Sequence, residues 1–261
     1  MKFKVLGCSG SRHPGHSLTS YCINGNVLVD AGAVCGYMDI DGQMGITDIL
    51  VSHSNLDHTK DILFLADNIA GAVYMGDRVA VNIRSQPKVL ESIQKHLLNN
   101  DIWPDFTKIP SQENPALRLV PLELGTPFAV DGLHALAFSV PHSAGSTGYL
   151  IYGDKPGENV AITGDTGPDA QWTDFLNASP IQVSNLVVEC SFPNELDELA
   201  RVSDHLTPRL LRKMLERLDR VPKLFITHIK AMYASTVQEQ MQCELADYQY
   251  HLPRKGDSYI F

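Results

Sequence analysis

The chain has 261 residues, 44% of them hydrophobic, with 21 Lys and Arg against 30 Asp and Glu for a formal net charge of −9 at pH 7. That content suffices for a sizeable core, and no Pro/Ser-rich linker, charge run or low-complexity tract divides it, so residues 1–261 read as one domain. The acidity argues against a long nucleic-acid ligand, whose binding draws most of its affinity from Lys and Arg. No stretch approaches the roughly 20 apolar residues of a membrane span. Five scattered cysteines (Cys8, Cys22, Cys35, Cys190, Cys243) with no Cys-x-x-Cys pair argue against a zinc ribbon or a paired disulfide framework. The N-terminus runs directly into an apolar strand without a cleavage pattern, so the expected compartment is the cytoplasm.

Taken in order, the patterning predicts strands at 2–7, 20–24, 27–30, 48–52, 72–75, 117–122, 126–130, 133–140, 147–152, 159–163, 185–189 and 223–227. Helices are predicted at 58–70, 87–99, 169–177, 207–219 and 235–246. Asn24-Gly25-Asn26 reads as a hairpin turn. Thr207-Pro208 opens a helix whose apolar face carries Leu210, Leu211, Met214, Leu215 and Leu218, which is core packing. After the first strand, Gly7-Cys8-Ser9-Gly10-Ser11 resembles a phosphate-cradling loop but lacks the Lys-Ser/Thr ending of a P-loop, and reads instead as a tight turn bordering a cleft. His13 and His16 in the same loop either line a pocket or sit in solvent. Trp103, Pro104 and Phe106 either pack beside a purine ring or anchor a loop to the core.

The chemistry concentrates in His53-Ser54-Asn55-Leu56-Asp57-His58, between a buried strand and an amphipathic helix. Imidazoles and a carboxylate crowded at such a junction suit zinc, which takes N and O ligands and lowers the pKa of bound water toward neutrality. The plain alternative makes His53 and His58 surface residues and Asp57 a helix N-cap. Three further candidates stand at strand ends: His142 after 133–140, Asp165 in Gly-Asp-Thr-Gly after 159–163, and His228 after 223–227. Each alone could be a turn or capping residue, but together they supply the donors of a metal-bridging hydrolase. Glu189 closes the apolar run Leu186-Val187-Val188, where a carboxylate needs a partner. His205 precedes the 207–219 helix and is either part of its cap or a proton donor.

The order His-x-Asn-x-Asp-His, His, Asp, His, with Val-Leu-Val-Asp-Ala-Gly at 27–32, resembles the metallo-β-lactamase fold along essentially the whole chain. The resemblance implies an α/β protein, an αββα sandwich of the metallo-β-lactamase type, which periodicity alone does not establish. It implies that His53, Asn55 and His142 lie at one metal, that Asp57, His58 and His228 lie at a second, and that Asp165 bridges both. Asn55 departs from the pattern, standing where the family has a second His. A neutral amide oxygen is a weaker zinc ligand, so the first site is expected to be loose. Zn2+ is the expected ion, as one or two per chain, with Mn2+ or Fe2+ as alternatives.

Within the fold, Asn-Leu-Val-Val-Glu-Cys-Ser-Phe-Pro-Asn (185–194), Asp-His-Leu-Thr-Pro-Arg-Leu-Leu (204–211), His-Leu-Leu-Asn-Asn-Asp-Ile-Trp-Pro-Asp-Phe (96–106) and Ile-Thr-His-Ile-Lys (226–230) resemble the class II cyclic-nucleotide phosphodiesterases. The related tRNA 3′-processing endonucleases place a Glu and a His in equivalent contexts, which implies that Glu189 and His205 form an acid dyad here. The activity implied is metal-dependent hydrolysis of 3′,5′-cyclic AMP or GMP to the 5′-monophosphate, with Asp57 and Asp165 orienting the attacking water and His205 protonating O3′. The partner is then a small anionic substrate met by a few basic groups, of which Arg12, Lys60, Arg209 and Lys230 are candidates; nucleic acid and membrane are not expected, and a homodimer is left open. Two alternatives stand beside this reading: hydrolysis of another small diester or an RNA 3′ end, and a catalytically weakened nucleotide-binding relative, for which Asn55 is the warrant.

Overall fold

In a computed structural model covering residues 1–261, two seven-stranded sheets form the centre of the molecule. The first has the order β14-β1-β2-β3-β4-β5-β6 and the second β13-β12-β11-β10-β9-β8-β7. The strands of the first are β1 (Lys2–Gly7), β2 (Ser20–Ile23), β3 (Val27–Val29), β4 (Asp48–Leu50), β5 (Val81–Ser85), β6 (Leu117–Pro121) and β14 (Ser258–Ile260). Those of the second are β7 (Phe128–Val130), β8 (Leu133–Ser139), β9 (Thr147–Tyr152), β10 (Asn159–Ile162), β11 (Asn185–Glu189), β12 (Lys223–Thr227) and β13 (Tyr250–His251). Each sheet begins as an antiparallel meander and continues as parallel strands joined through helices.

Period-2 alternation assigns the faces. Along β11 and β12, Val187 and Phe225 point to the layer between the sheets, where they meet Phe3, Val5, Tyr21, Val29 and Leu50 of the first sheet. Their neighbours Leu186, Val188, Leu224 and Ile226 point outward, under α4 (Gln171–Ala178), α6 (Pro208–Leu215) and α7 (Ala234–Glu244). The first sheet is covered likewise: Leu28, Ile49 and Val51 pack beneath α2 (Leu56–Met75) and α3 (Pro87–His96). The layers are therefore helix, sheet, sheet, helix, with three apolar seams between them. Two short helices, α1 (Ile40–Met44) and α5 (Asp197–Val202), complete the element list.

Most predicted elements fall where the patterning put them, and the 24–26 hairpin joins β2 to β3 in the register Ile23↔Val27. One assignment is corrected. Residues 72–75, read as a strand from Val73 and Tyr74, are the last turn of α2, which stops at Gly76 in the left-handed conformation (φ 81°). The α2 core face, continued through Ile69 and Val73, outweighs local β propensity. The neighbouring strand is β5, one element later, whose alternation Val81, Ile83, Ser85 inward is diluted by Asn82 and Arg84. Also unpredicted were β13 and β14; the latter leaves the second half of the chain to pair with β1 at the edge of the first sheet.

Trp103 and Phe106 belong to this scaffold. The Trp103 indole N–H donates to the Leu63 carbonyl at 3.1 Å, and Phe106 is buried in the core beneath α2 and α3. They anchor the 97–116 loop and do not form a purine wall.

Candidate metal centre

Parallel strands expose their carboxyl ends on one edge of each sheet, where α/β proteins bind ligands. β4 delivers His53, Asp57 and His58; β10 delivers Asp165; β11 ends on Glu189; β12 delivers His228; and β8, an antiparallel strand, leads to His142. All are buried or nearly so except Asp57, whose side chain is 29% exposed and which forms the open lip of the site. α2 supplies the turn between His53 and His58. Its N-cap position is occupied by Asn55 and not by Asp57, which lies in the first turn. The Asn55 side chain is exposed and does not cap the helix.

The sequence candidates converge. Asp165 Oδ1 lies 3.4 Å from His58 Nε2 and 3.3 Å from His228 Nε2, while Asp165 Oδ2 lies 3.8 Å from His53 Nε2 and 4.0 Å from His142 Nε2. Asp57 Oδ2 is 3.6 Å from His58 Nε2 and 3.4 Å from His228 Nε2. Asp165 thus faces two donor groups, His53 with His142 on one side, and Asp57 with His58 and His228 on the other.

Each imidazole is fixed from behind through Nδ1. His58 Nδ1 meets Asp30 Oδ2 at 2.7 Å, His53 Nδ1 meets Ser52 Oγ at 3.0 Å, His142 Nδ1 meets the Asp204 carbonyl at 3.0 Å, and His228 Nδ1 meets Ser191 Oγ at 3.0 Å. With Nδ1 engaged in this way, the four Nε2 atoms aim inward. His58 Nε2 and His228 Nε2 are only 3.4 Å apart, and His53 Nε2 is buried with no hydrogen-bond partner at all. Converging nitrogen lone pairs beside two carboxylates repel one another unless a cation lies between them, and an orphaned buried imidazole nitrogen is costly. The donors present therefore fit a divalent metal centre of mixed N and O ligands.

Electrostatics report the same crowding. Burial would push the His58 pKa down, but the carboxylates of Asp165 and Asp30 overcome it and raise it well above the usual value. His53 moves the other way, lowered by burial and by neighbouring His58. Burial opposes ionisation of Asp165, yet His228, His58 and His53 hold its carboxyl well below the usual range.

Three groups in this arrangement had no assigned role in the sequence reading. Asp30, in the 27–32 motif, receives the Ser52 N–H at 2.7 Å and the Ser52 hydroxyl at 2.8 Å besides its contact to His58. The signal was present as a carboxylate ending a wholly buried strand. Ser52 and Ser191 are small and common, and nothing in sequence distinguishes them. The backbone is strained where the site is built: Asp30, Asp204 and His228 have φ of 58°, 49° and 59°. The 7–11 loop does border the cleft as expected; a Cβ on Gly10 would lie 2.4 Å from the His228 carbonyl and 2.7 Å from its Nδ1.

Beside the metal donors, Glu189 Oε1 bonds His205 Nδ1 at 2.6 Å. Glu189 also accepts from the Thr166 N–H at 2.9 Å and the Ser191 hydroxyl at 2.7 Å, so the lone carboxylate at the end of β11 is fully engaged. His205 is not a cap: Thr207 holds that position, its hydroxyl accepting from the Leu210 N–H. Burial would lower the His205 pKa, and Glu189 outweighs it and raises the pKa. The His205 ring lies 5.1 Å from that of His142 and 5.6 Å from that of His228, at the edge of the cluster.

Solved structures share this architecture. Over 99% of this chain and 98% of its own, the metallo-β-lactamase fold protein YhfI from Bacillus subtilis superposes with a TM-score of 0.77 at 16% identity. Unliganded yeast PDE1 superposes over 100% of this chain and 99% of its own with a TM-score of 0.81 at 17% identity. The fold is the metallo-β-lactamase fold, and the donors gathered at its strand-end edge fit a divalent metal.

Residues 41–242 match the family of class-II cAMP phosphodiesterases. The chain belongs to that family and is a phosphodiesterase hydrolase. Among curated relatives, it is 28% identical over 248 residues to the 3′,5′-cyclic-nucleotide phosphodiesterase of Aliivibrio fischeri, covering 82% of this chain and 74% of the relative. It is 25% identical over 217 residues to 3′,5′-cyclic-nucleotide phosphodiesterase 1 of Saccharomyces cerevisiae, covering 72% of this chain and 57% of the relative.

Proposed function

We propose that the protein opens 3′,5′-cyclic AMP or GMP to the 5′-monophosphate, and the buried His205–Glu189 pair beside the metal donors is the observation that carries this reading. Breaking a phosphodiester needs an activated water, neutralised phosphoryl charge and a proton for the departing alkoxide. Zinc, when bound, supplies the first two by lowering the pKa of water and acting as a Lewis acid. His53, His142 and Asp165 would hold one ion, and Asp57, His58, Asp165 and His228 a second.

The chain's own residues do the rest. Glu189 engages Nδ1 of His205, which fixes the tautomer and leaves Nε2 to carry the proton for O3′. The Glu189 carboxylate raises the His205 pKa and so favours the protonated ring that this role requires. Asp57, on the exposed lip, orients the attacking water together with Asp165.

The two ion sites are unequal. One has four donors from the His/Asp set, the other three, with the exposed Asn55 offering only an amide where an imidazole would complete it. We infer one tight and one loose ion. The test is release of 5′-AMP from cyclic AMP by protein stripped of metal and reloaded with zinc or manganese, with bound metal counted in the same samples. Turnover is the expected result. No turnover with two ions bound would overturn the substrate assignment, and no turnover with one bound would locate the defect at Asn55.

A further inference from the structure

A cleft of about 420 Å³ opens beside the metal centre between the 12–17 loop, the start of α2 and the 253–257 turn. Its walls carry Arg12, His13, His16, Lys60 and Lys255, and Ala33 is the one hydrophobic residue among them. Three permanent cations therefore face a single carboxylate, Asp61, on a chain whose net charge is −9. That carboxylate is already used: it pairs with Lys60 and accepts the Cys35 N–H at 2.8 Å. Arg12 and Lys255 form no salt bridge; Lys255 instead lies 5.5 Å from the centre of the Tyr37 ring, which Lys4 also approaches at 5.0 Å.

With three permanent cations against one carboxylate that is already engaged, the cleft carries net positive charge, and the ligand it favours is a small anion. Its position narrows the class. Lys60 is three residues beyond Asp57 on α2, about one helical turn. The loop bearing Arg12, His13 and His16 is the one whose Gly10 packs against His228. The donor forks of an arginine and the point charges of two lysines match a phosphate monoester dianion.

We propose that this cleft is a second phosphate site, distinct from the metal centre, which takes the monoester phosphate of a nucleotide. That phosphate comes either from a free nucleotide or from the terminal phosphate of a longer nucleotide whose diester lies at the metals; the second source rests on the phosphodiesterase reading above.

The experiment compares the metal-loaded wild-type protein with an Arg12→Ala/Lys255→Ala double variant and with Arg12→Lys/Lys255→Arg, which keeps the charges. Calorimetric titration with 5′-AMP is expected to give two equivalents per chain for wild type and for the charge-keeping variant. The alanine variant should give one, or bind the second at least about tenfold more weakly, as loss of a charged hydrogen bond entails. The titration reads binding without turnover of cyclic AMP, so failure of this site is distinguishable from failure of the proposed activity. If the source is a longer nucleotide, wild type cleaves 5′-phosphorylated pApA with lower KM than ApA and the alanine variant loses that preference. If it is a free nucleotide, the second equivalent of 5′-AMP is lost while the pApA to ApA ratio is unchanged. One equivalent of 5′-AMP in wild type with no pApA preference, or a second equivalent that survives the alanine changes, overturns the site.

Discussion

His205 shows how one residue separates two roles. An acid that protonates a poor leaving group matters only when the group needs a proton. His205→Ala should therefore lower turnover of cyclic AMP by about 10²–10⁴-fold, but turnover of bis(p-nitrophenyl) phosphate by less than about tenfold. Equal losses on both substrates would remove the acid role. The proposed acid role also predicts a pH profile: an acid acts in its protonated form, so activity should fall as pH rises through the His205 pKa. Glu189 raises that pKa, and Glu189→Gln should move the alkaline limb of kcat to lower pH with the metal set unchanged. At Asn55 the expectation runs toward gain. Asn55→His supplies an imidazole to the three-donor site, and zinc retained after dialysis should rise from about one toward two per chain.

The strand-to-loop junctions, as elements, hold the site. β3 runs into Asp30, whose left-handed backbone turns its carboxylate onto Ser52 and His58. Asp30→Ala leaves the Ser52 N–H and His58 Nδ1 without their acceptor, and metal affinity measured by competition with a chelator should fall about 10–100-fold. The loop after β1 matters through its closeness: Gly10→Ala forces a methyl into the His228 carbonyl, so His228 must shift and the metal content of purified protein should drop. The strand ends bearing His53, His142, Asp165 and His228 were legible because an apolar run ending in a ligand-type residue is a local pattern. Asp30 carried the same pattern but no motif-level reason to bind metal. Its role became visible only once β3 lay beside β4, in the register Val29↔Leu50. The misplaced strand at 72–75 has a related cause. Four residues of β-prone sequence cannot reveal that they continue the buried helix face that runs through Ile62, Ala66 and Ile69.

Across the whole molecule, the site is a joint between the two sheets. His53, Asp57 and His58 come from the first sheet, and His142, Asp165 and His228 from the second. An ion held by both sets binds only the folded state and should stabilise it by about 4 kcal/mol when free metal is a thousandfold above its dissociation constant. For a chain of this size that corresponds to roughly 10 °C in melting temperature. Chelation should lower the midpoint by that order, and readdition of zinc should restore it; an unchanged midpoint would mean that the ion does not bridge the sheets.

Strand and helix periodicity, the strand-end histidines and carboxylates, and the departure at Asn55 are properties of short segments, so the amino-acid order alone determined them. It also determined the acidic balance that disfavours long nucleic acids. Tertiary structure decided what depends on distant segments meeting: that Glu189 and His205 pair at 2.6 Å, that Asp165 faces donors on both sides, and that Arg12, Lys60 and Lys255 gather in one cleft. Those contacts join residues up to about the full length of the chain apart. Packing of one sheet on the other brings the first-sheet and second-sheet donors within reach of a common ion, while pairing of β14 with β1 brings Lys255 to the Arg12 loop.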